Sequence, residues 1–280
     1  MSEKSFNKDD LKYFEKDEKV SVVATVNEQG LPHISLITCF QATDENHVIL
    51  GQFCEGKSKA NMRERSKCGF LVLSLDMNYW QGKLNRTGEA MSGDELKIFN
   101  TKPMWRYNSY FGIHTVHYLD VVEVFSKKKI SIAGLLPGII AGRIASLFIR
   151  NKSSVRPLNN WTAELIDSIK TISFISWIDE DGYPVIIPAL QLRSVHHNKI
   201  IFTLNGYKKE IKSIKRDSPI AVYSLSLEME NVLLRGRFTG IKRIAGIETG
   251  QIVVDWVYNS MPPVPSQIYP PLPLKAVTDF

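Results

Sequence analysis

The pair Ser58-Lys59 carries the most chemical content in this chain. It opens SKANMRERSKCGFLVLSL, which begins with a short helical pattern, with Met62 set among basic residues. A phosphate dianion needs a cation and several hydrogen-bond donors. Lys59 supplies the charge and Ser58 a hydroxyl. The first turn of a helix adds outward N–H groups, and Lys57 is a nearby substitute cation. The plain alternative is solvated lysines beside a Ser58 N-cap. Upstream, His33, Ser35 and Thr38 lie on a β-rich run. His33 and Ser35 have the same parity and face one side, whereas Thr38 faces the other. His114 and His117 fall on opposite faces of a β-rich segment, which is poor metal geometry. Neither a nucleophile elbow nor a P-loop occurs. Trp80, Trp105, Arg106, Tyr107 and Tyr110 form an aromatic-basic set that reads as pocket lining or as core cover.

The elements that must position these residues repeat along the chain. SVVATVNEQGLPHISLITCF, from Ser21, aligns with ISFISWIDEDGYPVIIPALQ, from Ile172. Each is a β-rich run, a polar turn ending in Gly, one residue, Pro, and a second run. Both read as β-hairpins: Gly30 and Gly182 supply the turn, and Pro32 and Pro184 open the next strand. NHVILGQF then answers NKIIFTLN, and SKANMRERSKCGFLVLSL answers KKEIKSIKRDSPIAVYSL. Leu84–Ala90 is set against Leu233–Thr239. Ser92–Lys102 is a helix candidate with Ser92 as N-cap, and His117–Phe125 a last strand. Gly246–Tyr258 supplies the matching strand. The Pro-rich tail Met261–Leu274 must be extended or loop. Two similar units of about a hundred residues therefore follow one another. The expected boundaries are 1–126, 127–160 and 161–280. Many short strands with few helices suggest small barrels.

This ordered pattern resembles the pyridoxamine-phosphate oxidase-like, FMN-binding split-barrel family. GLPHIS from Gly30, HVILGQF, GKSKAN from Gly56, FLVLSL and Gly88 carry the resemblance. It covers most of Ser21–Phe125 and recurs more weakly over Ile172–Tyr258. It implies a mainly β fold: two tandem FMN-binding split β-barrels packed as a pseudo-dimer. It also implies FMN as cofactor, with Ser58 and Lys59 on its phosphate. His33, Ile34, Ser35 and Thr38 come from the preceding strand, Gly51 and Gln52 from the next, and Gln81 from a later one. Family members often carry Arg where His33 stands. Trp256 and Tyr258 on the last strand are candidates to pack against the flavin ring, or else core aromatics. In the second half Val185, Ile187 and Leu190 replace His33, Ser35 and Thr38, and Lys208-Lys209 replaces Ser58-Lys59. That half reads as a degenerate partner.

The resemblance implies an FMN-dependent oxidoreductase; the alternative is a non-catalytic flavin or haem binder or electron carrier. No residue is required as general acid or base, and the substrate is not legible. A net charge of +6 from 35 basic and 29 acidic residues is mild and scattered. Nucleic-acid binding is not expected. Cys39, Cys54 and Cys68 lack CxxC spacing and read as reduced thiols. The polar start is unlike a secretory leader, so a soluble, cytoplasmic monomer or homodimer is expected. The apolar stretch Ile130–Ile149 reads as a buried interdomain helix, a cap over a pocket, or else an interfacial helix with flanking Lys and Arg snorkelling; membrane association is not expected, and Pro137 and three glycines argue against a straight span.

Overall fold

The computed structural model describes residues 2–103, 105–106, 112–150, 153–204, 206–259 and 266–273. Tyr107, Tyr110 and, of the Pro-rich tail, residues 261–265 and 274 lie outside them. The chain divides into unit 1, Met1–Ser131 with Ser176–Ile187, and unit 2, Ile132–Ile175 with Pro188–Phe280. The fold is mainly β and holds two antiparallel sheets.

The first sheet contains β1 (Ser2–Glu3), β2 (Lys19–Val26), β3 (Pro32–Leu36), β4 (Phe40–Ala42), β5 (His47–Gln52), β6 (Lys67–Ser74), β7 (Asn78–Ala90), β8 (Thr115–Phe125) and β9 (Lys128–Lys129). Helices α1 (Leu11–Glu15), α2 (Lys57–Glu64) and α3 (Asp94–Asn100) interrupt it. The second sheet contains β10 (Thr171–Ile178), β11 (Pro184–Pro188), β12 (Arg193–Val195), β13 (Lys199–Thr203), β14 (Pro219–Ser226), β15 (Asn231–Ile244), β16 (Ile247–Asn259) and β17 (Ser266–Tyr269). Its helices are α4 (Ile132–Leu147), α5 (Asn160–Asp167) and α6 (Lys208–Lys212). The strand orders are β3-β2-β6-β7-β8-β5-β4 and β11-β10-β14-β15-β16-β13-β12, the same path in both.

The repeat extends to atomic detail. In the β2–β3 turn, Gly30 has φ +74°, and the Leu31 amide donates to Asn27 Oδ1 at 2.8 Å. In the β10–β11 turn, Gly182 has φ +80°, and the Tyr183 amide donates to Asp179 Oδ1 at 2.8 Å. The Asx side chain closes the turn while the glycine takes the left-handed geometry. Strand starts Lys19 and Thr171, Pro32 and Pro184, His47 and Lys199, and Lys67 and Pro219 all share one offset. Register shifts between Lys83/Leu84 and Arg86/Gly88 recur between Arg235/Gly236 and Phe238/Gly240. Cross-strand pairing corrects the sequence alignment here. Cys68 faces Leu84, and its counterpart Ile220 faces Gly236, so Leu84 answers Gly236 rather than Leu233.

Alternation sets the core of unit 1. Val23, Phe70, Val72, Trp80, Leu84 and Leu119 point inward with Phe40, Leu50 and Met62. Burying each such side chain contributes roughly 1.5–3 kcal/mol. Trp80 therefore belongs to the core, its Nε1–H donating to Asp10 Oδ2 at 2.9 Å. Trp105 instead joins Phe99, Ile113 and Val116 in a separate cluster. Arg106 is exposed. The described members of the aromatic-basic set thus fall in different places rather than in one pocket. Helix α3 starts at Asp94 behind Gly93, at φ +128°, so Ser92 is not its N-cap. Asp94 and Glu95 sit in the first turn, where the helix dipole favours them.

Helix α4 corrects the expectation of a buried apolar segment. Gly138, Gly142 and Ala145 are its buried positions, whereas Leu136, Ile140, Ile144 and Leu147 are exposed. Among the described residues, no helix is long and apolar enough to cross a membrane.

Candidate functional site

Helix α2 forms because KSKANMRE has an apolar anchor and a buried polar side. Met62 is fully buried in the core, and Asn61 Nδ2 donates to Thr25 Oγ1 at 3.0 Å. Gly56 is the N-cap in extended conformation and makes no side-chain cap. Ser58 is therefore inside the helix and buried, which removes its reading as an N-cap. Lys57 is exposed.

Lys59 is different. Only 8% of it is accessible, and no hydrogen bond or ion pair reaches its ammonium among the described residues. Burial pushes its pKa down to about 8, against weaker support from Cys54, Cys39 and Glu55. A buried cation without a partner is costly, and an anion is what would relieve it. Burial raises the Cys39 thiol, while hydrogen bonds with Thr38 and Trp105 and then the charges of Lys102 and Lys59 work the other way. Thr38 Oγ1 lies 3.9 Å from Cys39 Sγ. The Gly51 amide donates to Cys39 O at 2.9 Å. A Cβ on Gly51 would stand 2.8 Å from Cys39 Cβ, so only glycine permits this approach.

Beside Lys59 runs a closed ring of polar contacts. His117 is fully buried, and its Nε2 lies 2.6 Å from Gln52 Oε1. Gln52 Nε2 donates to Glu55 Oε2 at 2.6 Å. Glu55 Oε1 accepts from Arg63 at 2.7 Å, and Arg63 Nε donates to Glu89 Oε2 at 3.0 Å. Glu89 Oε2 returns to His117 Nδ1 at 3.2 Å. Arg86 braces the ring, donating to Glu89 at 2.8 Å and to His117 Nδ1 at 3.3 Å. Burial holds the His117 pKa down to about 4; Glu89 opposes this, and Lys59, Arg86 and Arg63 reinforce it. The imidazole is thus neutral near pH 7. Arg86 can only donate, so Nδ1 accepts and Nε2–H donates to Gln52; Glu89, itself an acceptor, closes the ring through Arg86 rather than by a hydrogen bond to Nδ1. The ring ties α2, through Arg63, to β5, β7 and β8.

The structure thus brings Thr38, Gly51, Gln52, Ser58 and Lys59 to the α2 end of unit 1. His33 and Ile34 are buried and Ser35 is half-buried on β3, where His33 pairs across from Thr25, the acceptor of Asn61. The Gln52 side chain is committed at both ends, so it positions rather than binds. Gln81 is apart from this group. It alternates with the core residue Trp80 and so faces the opposite side of the sheet, its buried Oε1 without a hydrogen-bond partner.

Trp256 and Tyr258 lie in unit 2 on β16. Their rings stack at 5.2 Å and 8°, and the Arg235 guanidinium sits 4.2 Å above Trp256. Burial lowers the Arg235 pKa to about 10. Among the described residues of this unit, no buried lysine takes the place of Lys59. Lys208 and Lys209 are exposed on the short α6, and Lys208 pairs with Glu248 at 2.6 Å.

Sequence reasoning missed Glu55, Arg63, Arg86, Glu89 and His117 as a group. One signal was present: Arg63 lies one helical turn beyond Lys59, so the two share a face. The cross-strand pairing of Glu89 with His117 needs the register of β7 and β8.

No family model and no curated protein matches the sequence. Solved structures do. An FMN-binding protein from Syntrophomonas wolfei subsp. wolfei is 15% identical, over 44% of this chain and 84% of its own, with a TM-score of 0.36. A candidate pyridoxamine 5'-phosphate oxidase from Lactobacillus delbrueckii is 16% identical, over 44% and 96%, with a TM-score of 0.36. The Bacillus subtilis Inhibitor of motility matches 85% of this chain and 87% of its own, at 7% identity and a TM-score of 0.26. The structural neighbours of this mainly β chain thus include FMN-binding and pyridoxamine-phosphate-oxidase-like proteins.

Proposed function

We propose that this chain binds FMN in its N-terminal domain and acts as an FMN-dependent oxidoreductase, with the C-terminal domain a degenerate copy. The observation that carries this reading is Lys59, a buried ammonium without a partner at the first turn of α2. Its charge, the Ser58 hydroxyl and the first-turn amides are the donor set that a phosphate monoester requires. Ser35 and Thr38 add hydroxyls from the preceding segment. The flavin would supply the redox chemistry, and the chain would hold and orient it. The three cysteines are free, which fits a reducing cytoplasm.

The test is an absorption spectrum with FMN titrated into wild type and Lys208→Ala. We expect equimolar flavin binding, equal in both, because Lys208 is exposed and already paired. A Soret band in place of a flavin spectrum would assign a haem binder instead. Absence of any flavin binding would remove the cofactor.

A further inference from the structure

We infer that the outer face of α4 docks this protein on an anionic membrane surface, with the helix lying in the plane of the headgroups. A helix at a protein surface normally turns its large apolar residues inward and its polar ones outward. Helix α4 does the reverse. Its buried positions are the small residues Gly138, Gly142 and Ala145, and Ala145 packs with Val195 and Ile201 of the second sheet. Leu136, Ile140, Ile144, Leu147 and the following Phe148 remain 44–82% exposed. At 100° per residue they fall on one side of the helix. Small residues line the side that packs on its own unit, and Leu136, Ile140, Ile144 and Leu147 are left for something else. A contiguous apolar stripe of this kind marks an interaction surface.

Charge identifies the partner. From Ile130 to Ala163 the sequence holds no acidic residue, while Arg143, Arg150, Lys152 and Arg156 are basic. Arg143 and Arg150 are exposed at and beyond the edge of the stripe. An apolar stripe framed by cations complements acyl chains beneath anionic headgroups. A second copy of this chain would bring the same cationic segment against itself, which disfavours it as the occupant. The stripe from Leu136 to Phe148 is about 18 Å long, too short for a hydrocarbon core of about 30 Å. It can lie on a bilayer but not cross one. The sequence leaves an interfacial helix as one of three readings of this stretch; the inward-facing glycine side, which sequence alone does not show, favours it.

The experiment is flotation of the full chain with vesicles of phosphatidylcholine alone and of phosphatidylcholine mixed with phosphatidylserine. Binding to the mixed vesicles should exceed binding to neutral ones by at least about tenfold and weaken as salt shortens the Debye length. The double variant I140D/L147D should lose about tenfold or more, and R143E/R150E a similar amount, with circular dichroism and FMN binding unchanged. Failure to float with either vesicle would overturn the inference. So would a dimer in sedimentation velocity that I140D/L147D dissolves, since the stripe would then belong to a second copy.

Discussion

Replacing Lys59 with Met is expected to weaken FMN binding about ten- to a hundredfold while making the ligand-free protein more stable. Both effects follow from the same buried, unpaired ammonium. A charge-assisted phosphate contact is worth about 1.5–3 kcal/mol, which sets the loss of affinity. The stability gain comes from the depressed pKa. Folding moves the Lys59 value from 10.5 to about 8, so below pH 8 the native state bears the full cost of the charge. That cost is on the order of 3 kcal/mol. The sign gives a second readout. The unfolded chain holds the Lys59 proton up to about pH 10.5 and the native chain only to about 8, so wild-type stability should rise across that window. The Lys59→Met variant should lack that rise. FMN affinity of the wild type should fall as pH climbs past about 8. These are measured by urea unfolding and flavin fluorescence titration. A variant that is less stable and binds FMN normally would make Lys59 a structural residue.

Acid should loosen the protein through His117. Its native pKa of about 4 lies below its ordinary 6.5, so the unfolded chain takes up a proton that the native ring refuses. Stability contributed by the neutral imidazole is complete above about pH 6.5 and declines as pH falls toward 4. The slope is about 1.4 kcal/mol per pH unit and the total on the order of 3 kcal/mol. His117→Asn should flatten this slope, measured as the difference between the two unfolding curves over that range. Glu89 titrates lower. Burial raises its carboxyl, but Arg63 and Arg86 hold the net value below the usual 4.5. Its contribution therefore falls away mainly beneath the His117 window. Identical pH curves for wild type and His117→Asn would mean that the imidazole does not carry the ring.

The strand plan was legible in the sequence because its signals are local. Asn27 with Gly30, and Asp179 with Gly182, announce the two hairpins, and alternation marks the inward residues of β6 and β14. The Ser58-Lys59 pair was legible as an anion site, though not its burial, since nothing local shows how deeply Met62 draws α2 into the core. The polar ring was hidden. Gln52, Arg63, Glu89 and His117 are far apart in sequence and meet only once β5, β7 and β8 pair. The alignment of β7 with β15 slipped because LNRTGEA and LLRGRFT share composition, whereas their partners on β6 and β14 fix another register. Helix α4 misled because apolar content does not say which side faces the sheet; small size decided it.

The most direct test compares FMN with riboflavin, which has the same ring and lacks the phosphate. Each is titrated into the purified wild-type protein at pH 7 by quenching of flavin fluorescence. The account predicts saturable FMN binding and riboflavin binding weaker by about tenfold or more, because the Lys59 contact is worth at least about 1.5 kcal/mol. Equal affinity for the two, or no binding of either, would contradict a phosphate site at Lys59.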